Sequence, residues 1–212
     1  MAAALPGAKV ALGLKLGVTI EQLAAAIQNE TAEDMLHWVA VHAGEMIYVS
    51  PGTVHTMTAG SILLETQQQS DITYRLYDYG RPRPLHLEHG LEAVRIKTGA
   101  GKVVAREKSK GSTGVRSELV SAPFFAVDRF ELIGGQSFKT EHCGKSAVQI
   151  LTAFEGSGTV EAEGCEPVRF TRGDAVVVPA NLGAFQVVPE GKLEMLRAMV
   201  PHGILAEPKT YL

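Results

Sequence analysis

His55 and Arg75 stand at the ends of two consecutive runs that between them hold an unusual density of polar side chains. The first run is Gly44-Glu-Met-Ile-Tyr-Val-Ser-Pro-Gly-Thr-Val-His55, and the second is Gly60-Ser-Ile-Leu-Leu-Glu-Thr-Gln-Gln-Gln-Ser-Asp-Ile-Thr-Tyr-Arg75. The pattern reads as a strand, a tight Pro-Gly turn, a strand that delivers His55, a second turn at Ala59-Gly60, and a longer strand. Late in that longer strand come Gln67, Gln68, Gln69, Ser70, Asp71, Thr73 and Arg75. Unpaired polar groups are costly to desolvate, so such a cluster inside a buried sheet calls for a reason, and a polar ligand pocket is the natural one. The Arg75 guanidinium stays charged at any relevant pH and donates a fork of hydrogen bonds to adjacent oxygens.

The flanking elements must hold these groups in place. Residues 8–16 alternate as a strand, and Thr19-Ile-Glu-Gln22 has capping-box form. It opens a helix to about Asn29, with Ile20, Leu23, Ala24 and Ile27 as the buried stripe. Thr31-Ala-Glu-Asp34 starts another short helix to about His37, and Trp38 to Val41 follows as a strand. His37 and His42 read as surface or edge histidines. Arg81 to Val94 turns from a proline-bounded loop into a short helix with Leu87, Leu91 and Val94 on one side, and His86 and His89 read as structural. Asp71 and Asp78 read as turn and network residues.

Residues 98–117 are rich in glycine, serine and lysine, with one strand at Lys102 to Arg106, so the domains are predicted as 1–97 and 116–212 joined by a linker over 98–115. Beyond it, short strands are predicted at 116–121, 124–132, 136–140, 147–153, 158–162, 166–170, 175–178, 184–188 and 193–200. Many short strands separated by Gly and Pro mean a sandwich or small barrel. Gly173-Asp174 to Pro179-Ala-Asn181 repeats the logic of Gly44 to Gly52, which gives the chain an internal repeat.

A chain of 212 residues with 45% hydrophobic residues, 22 glycines and 10 prolines reads as folded and turn-rich. A net charge of -3 without a Lys/Arg block argues against a nucleic-acid partner. Cys143 and Cys165 are too far apart for a CxxC motif and read as free thiols of a reduced cytoplasm. Pro6, Gly7, Lys9 and Lys15 interrupt any signal-peptide core, and no apolar stretch is long enough to span a bilayer. The expectation is a cytoplasmic protein with no membrane partner.

The spacing of Gly44, Pro51, Gly52 and His55 is similar to the second conserved motif of cupin barrels, although Ser50 stands where cupins usually place the proline. Pro-Gly-Thr-Val-His followed by Leu-Leu-Glu-Thr-Gln-Gln-x-Ser-Asp-x-Thr-Tyr-Arg-x-Tyr-Asp-Tyr-x-Arg resembles the type I phosphomannose isomerases, the zinc-dependent mannose-6-phosphate isomerases. The resemblance implies an all-β fold with a small helical segment, built as two cupin-like jelly-roll barrels, the first incomplete. It implies that His55 is a zinc ligand and Arg75 the catalytic arginine.

Aldose-ketose isomerisation passes through an enediolate, so it needs a cation at the developing oxyanion and a base to shuttle the proton. Arg75 suits the first role. Glu65 is a candidate base or substrate-orienting group, or else a buried structural carboxylate paired with a lysine or arginine. The family takes its other zinc ligands from a Gln-x-His motif and a glutamate, and no Gln-x-His occurs in this sequence. The second repeat has Ala184 at the place of His55, and the other motif, counted from Gly135, offers Glu141, Cys143 and Gln149 with His142 one position off, so the second barrel is expected to be metal-free and structural. The resemblance therefore implies an isomerase lacking its N-terminal part, with a phosphosugar as small-molecule partner and a separate N-terminal chain or self-association to cover the open barrel. A non-catalytic bicupin that binds a phosphosugar or serves as a subunit is the alternative.

Overall fold

The computed structural model describes residues 1–68, 70, 72–134, 137–139 and 147–201. The chain divides into two compact units, one over 1–65 and 69–103 and the other from Val104 onward with 66–68.

The first unit contains β1 (Ala3–Ala4), β2 (Lys9–Leu14), β3 (Leu36–Ala40), β4 (Ile47–Tyr48), β5 (His55–Met57), β6 (Ser61–Ile62) and β7 (Gly101–Lys102). These strands pair antiparallel as separate small sheets, β1-β6, β3-β2-β5 and β4-β7. Strand β2 is the spine, with Val10, Ala11 and Leu12 buried, and Leu12 lies opposite His55. The capping box predicted at Thr19 is present: the Thr19 hydroxyl accepts from the Gln22 amide at 3.2 Å, and the Gln22 side chain accepts from the Thr19 amide at 3.0 Å. It opens α1 (Ile20–Gln28), whose Leu23 and Ile27 pack with Leu76, Leu87, Leu91 and Val94 around α2 (Leu87–Ala93). Between α1 and β3 the predicted second helix is a single 3₁₀ turn, Ala32–Met35.

One expectation fails here. The longer strand predicted after Gly60 ends at Ile62, and the described residues of 63–78 follow no ladder. Gln67, Gln68 and Ser70 are exposed, so the run carries no desolvation cost and the argument for a buried polar strand does not apply to it. Gln69 and Asp71 lie outside the described residues.

The second unit contains β8 (Arg106–Gly111), β9 (Gly114–Ser121), β10 (Ala126–Leu132), β11 (Phe138–Lys139), β12 (Gln149–Ala162), β13 (Val168–Thr171), β14 (Ala175–Val178) and β15 (Phe185–Met199). The stretch 98–115, predicted as a linker, carries β7 and β8 instead: its β-capable residues find ladder partners in β4 and β9. Sheet order is β13-β12-β15-β10-β9-β8, with β14 also on β12 and β11 on β15, all antiparallel. The first half of β12 pairs with β14 and the second half with β13, while β15 follows it along both halves. One long bent pair thus serves both faces of a jelly roll around Phe130, Leu151, Phe170, Leu193 and Met195. Four predicted short strands are two long ones because the ladder bends through bulges at Ala153/Glu155 and Gly156/Gly158 rather than stopping. Gly156 makes the bend possible, with φ of +79° and a backbone so close that an added Cβ would collide with the Lys192 carbonyl oxygen. The chain is all-β with a small helical part, its first unit in pieces and its second a continuous barrel sheet.

Replacing Thr19 by Ala removes the α1 cap. We expect this to lower the stability of the first unit by about 1 kcal/mol, read as a lower urea midpoint by far-ultraviolet circular dichroism, with Thr19→Ser restoring most of it.

Candidate functional site

A cavity of about 470 Å3 opens in the first unit. Leu23 and Ile27 of α1 and Gly90, Ala93 and Val94 at α2 give it apolar lining, while His55, Thr56, Thr73, Arg75, Tyr77, Tyr79 and Glu33 give it polar lining. His55 and Arg75 therefore share one cavity.

His55 begins β5 directly after the Pro51-Gly52 turn. Gly52 has φ of +78°, and an added Cβ would stand 2.7 Å from the Ala93 carbonyl oxygen, so only glycine lets the turn seat against the end of α2. The Arg95 amide donates to the Gly52 carbonyl at 2.9 Å and closes that contact. From there the His55 Nδ1–H donates to the Thr53 carbonyl at 2.9 Å. A carbonyl can only accept, so the proton is on Nδ1, and Nε2 keeps a lone pair for a metal or a proton.

Arg75 lies on backbone with no strand partner, yet it is pinned. Its amide donates to Nδ1 of His86 at 3.0 Å, the His86 amide donates back to the Arg75 carbonyl at 2.8 Å, and its Nη1 donates to the Pro84 carbonyl at 3.2 Å. Asp78 anchors the next turn. Arg83 donates to it through Nε at 2.6 Å and also through Nη2, and Arg81 stands 3.2 Å away. The Arg83 hydrogen bonds, aided by the charges of Arg81, Arg83 and Arg75, hold the Asp78 carboxyl below the usual range although burial opposes them.

Tyr79 follows in the left-handed region with φ of +56°, a conformation bulky residues avoid. Its hydroxyl is 3.5 Å from the Thr56 hydroxyl, and burial raises its pKa. The Tyr77 ring meets it edge-on at 5.0 Å, and the Tyr77 hydroxyl donates to the carbonyl of Glu30, the other non-glycine residue with positive φ among those described. Local strain is thus concentrated beside the cavity, where function commonly places it.

Glu65 does not line this cavity. It is exposed, because the chain has left the sheet at Ile62, and the same exposure removes the reading of a buried structural carboxylate. The carboxylate in the lining is Glu33, which the sequence shows only as part of a helix start; Tyr77 and Tyr79 are visible there only as letters of a motif. His86 has the structural role read for it, and His42 and His89 are exposed beside Glu45 and Glu92. Gly135, Glu141, His142 and Cys143 lie outside the described residues, and Cys165 is an exposed free thiol.

A catalytic zinc takes about three protein ligands. Among the described residues no three of His, Cys, Asp and Glu converge to hold a metal ion. His55 offers one ligand, so the described residues by themselves do not fit a complete zinc site.

No family model matches the sequence. Against curated proteins, the chain is 31% identical over 185 residues to mannose-6-phosphate isomerase ManA of Bacillus subtilis, across 84% of this chain and 56% of that protein. It is 32% identical over 182 residues to mannose-6-phosphate isomerase of Streptococcus mutans, across 83% of this chain and 55% of that one. The chain belongs to the mannose-6-phosphate isomerase family. It spans about half the length of these curated relatives. The crystal structure of the Bacillus subtilis mannose 6-phosphate isomerase matches with a TM-score of 0.79 at 24% identity, over 93% of this chain and 62% of that one, which shows a shared fold. No helix among the described residues is long and apolar enough to cross a membrane.

The lowered pKa of Asp78 makes the stability of its turn depend on pH. The stabilisation is complete above the ordinary value of 3.8 and is lost as pH falls below it. We expect Asp78→Asn to melt earlier than the parent at neutral pH and the two melting curves to converge once the pH has fallen through the lowered pKa of Asp78, measured as Tm against pH.

Proposed function

We propose that this chain carries part of the active site of a mannose-6-phosphate isomerase, which interconverts mannose 6-phosphate and fructose 6-phosphate through an enediolate. The observation that carries this reading is that His55 and Arg75 line the same cavity, of a size suited to one small sugar. Removal of the proton from C2 of the open-chain aldose puts negative charge on the C1 oxygen, and the charge passes to the C2 oxygen as the C2 hydroxyl proton moves to the C1 oxygen. Arg75 is suited to that charge, since it is permanently cationic and its backbone is held by His86. The proton that leaves C2 must return at C1, and Glu33 is the carboxylate of the described lining able to carry it. Tyr77 and Tyr79 give the sugar a ring face and hydroxyl partners.

Zinc belongs to this reading as the metal that polarises the substrate oxygens. His55 would be one ligand through Nε2, with the remaining ligands from outside the described residues. A site completed elsewhere explains why we expect little activity from this polypeptide alone. The small sheets of the first unit leave Leu5, Leu16 and Ile62 exposed, which favours a covering partner, either polypeptide matching the rest of the relatives or a second copy. A charged sugar phosphate is retained by membranes, so a cytoplasmic location goes with this substrate.

That no three metal ligands converge among the described residues favours a second reading, a metal-free bicupin that binds a phosphosugar without turning it over. Zinc content and turnover separate the two. With polypeptide matching the rest of the relatives supplied, Arg75→Met should lose turnover of mannose 6-phosphate by about 10²-fold or more while keeping zinc, and His55→Ala should lose zinc by elemental analysis. Full turnover by Arg75→Met sinks the role given to Arg75, a zinc-loaded parent without turnover sinks the isomerase assignment, and a zinc-free parent that still binds mannose 6-phosphate moves it to the second reading.

A further inference from the structure

Strand alternation makes the inward face of the second unit apolar along most of its length, but at one end four neighbouring strands break the rule. In sheet order β12, β15, β10 and β9 present Gln149, Arg197, Asp128 and Arg116 there. Gln149 continues the stripe of Leu151 and Ala153, Arg197 that of Leu193 and Met195, and Asp128 that of Phe130 and Leu132. The register sets Arg197 opposite both Asp128 and Leu151, and Arg116 opposite Phe130. Asp128, Arg197 and Gln149 are 3%, 4% and 8% exposed, whereas the Arg116 side chain is 36% exposed at the open end of the set. Placing such groups in a barrel interior is costly unless every polar atom is satisfied.

They are not all satisfied. Arg197 Nη2 donates to Oδ2 of Asp128 at 2.5 Å, and Arg116 Nη2 donates to the same oxygen at 3.1 Å. One carboxylate thus answers two guanidinium groups, both lying over the Phe130 ring. Glu118, opposite Asp128, is engaged by Lys108 at 3.2 Å, so that pair cancels and one positive charge remains. The Nε–H groups of Arg116 and Arg197 and the Oε1 of Gln149 are buried without a hydrogen-bond partner among the described residues. Among the described residues two donors there lack an acceptor, one acceptor lacks a donor, and one positive charge, shared by Arg197 and the partly exposed Arg116, lacks its counter-charge. A water molecule can bridge the hydrogen bonds but cannot balance the charge.

We propose that this end of the second unit binds a small hydroxylated organic anion, whose carboxylate or phosphate accepts from Arg116 and Arg197 and whose hydroxyl donates to Gln149. The site is separate from the cavity holding His55 and Arg75, so the isomerase reading stands or falls independently of it.

Calorimetric titration of the whole chain tests this with gluconate, which has both functions, acetate, which has only the charge, and sorbitol, which has only the hydroxyls. Gluconate is expected to bind, acetate more weakly and sorbitol not at all. Gln149→Met should weaken gluconate about tenfold and leave acetate unchanged, Arg116→Met should weaken both, and Arg75→Met should weaken neither. Arg197 is left intact because its loss would leave the buried Asp128 carboxylate with only the partly exposed Arg116, which would threaten the fold itself. No binding of gluconate by the parent, undiminished binding by Gln149→Met, or loss of binding in Arg75→Met alone each overturns the proposal. Arg116→Lys, which keeps the charge without Nε–H, serves in place of Arg116→Met if that variant does not melt cooperatively.

Discussion

Arg75 has to be held still on a stretch of backbone that belongs to no sheet. A residue in a strand inherits its position from ladder hydrogen bonds on both sides, but the described residues of 63–78 have no such ladder. His86 replaces the ladder, since its ring nitrogen and its own amide give the Arg75 peptide an acceptor and a donor, which is what a neighbouring strand would supply. Because Nδ1 accepts from the Arg75 amide, that ring nitrogen carries no proton here. The Asp78 turn then fixes the far end of the segment through Arg83 and Arg81, and Tyr79 is pressed into the left-handed region immediately after it.

The opposite wall of the cavity is built by a different device. The Pro51-Gly52 turn fits against the end of α2 because no Cβ intervenes, and β5 starts from that fixed point with its first side chain in the lining. α2 is therefore common to both walls: its end seats the turn that leads to His55, and the residue preceding it, His86, holds Arg75. The capping box and apolar stripe of α1 pack onto the same cluster, which links a cap worth about 1 kcal/mol to the placement of two polar side chains.

Local signals are legible in the sequence and long-range ones are not. Thr19-Ile-Glu-Gln22 fixes a helix start through bonds three residues apart, and the structure shows both. The Pro-Gly turn before His55 and the helix after His86 are local in the same sense. Strand length is not local. Whether a β-capable run pairs depends on a partner far along the chain, so the run after Gly60 stops early, while residues 98–115, which read as a linker, find β4 and β9. The bends at Gly156 and its neighbours read as strand ends because a glycine in a strand can mean a turn or a bulge, and only the tertiary ladder decides which. For the site, His55 and Arg75 are visible as motif residues. Glu33 is hidden because nothing in its own neighbourhood points toward a cavity formed by later segments.

The same physical test, a polar residue on an inward strand face, explains both where the sequence misleads and what it leaves unmarked. Applied to residues 67–75 it finds a pocket for the wrong reason: the described residues of the segment form no strand, its described glutamines are exposed, and Arg75 reaches the cavity from irregular backbone. Applied to the second repeat, where the strands are real, it singles out Gln149, Arg197, Asp128 and Arg116 on neighbouring strands. In the sequence Gln149 stands out only as a residue unable to complete a zinc set. Failing as a metal ligand does not make a buried amide structural, because an apolar residue would fill that place at lower cost. The first unit gathers its polar groups on irregular backbone and must fix them one hydrogen bond at a time. The second sets them on regular strands, where the ladder holds position and what is left unsatisfied is charge.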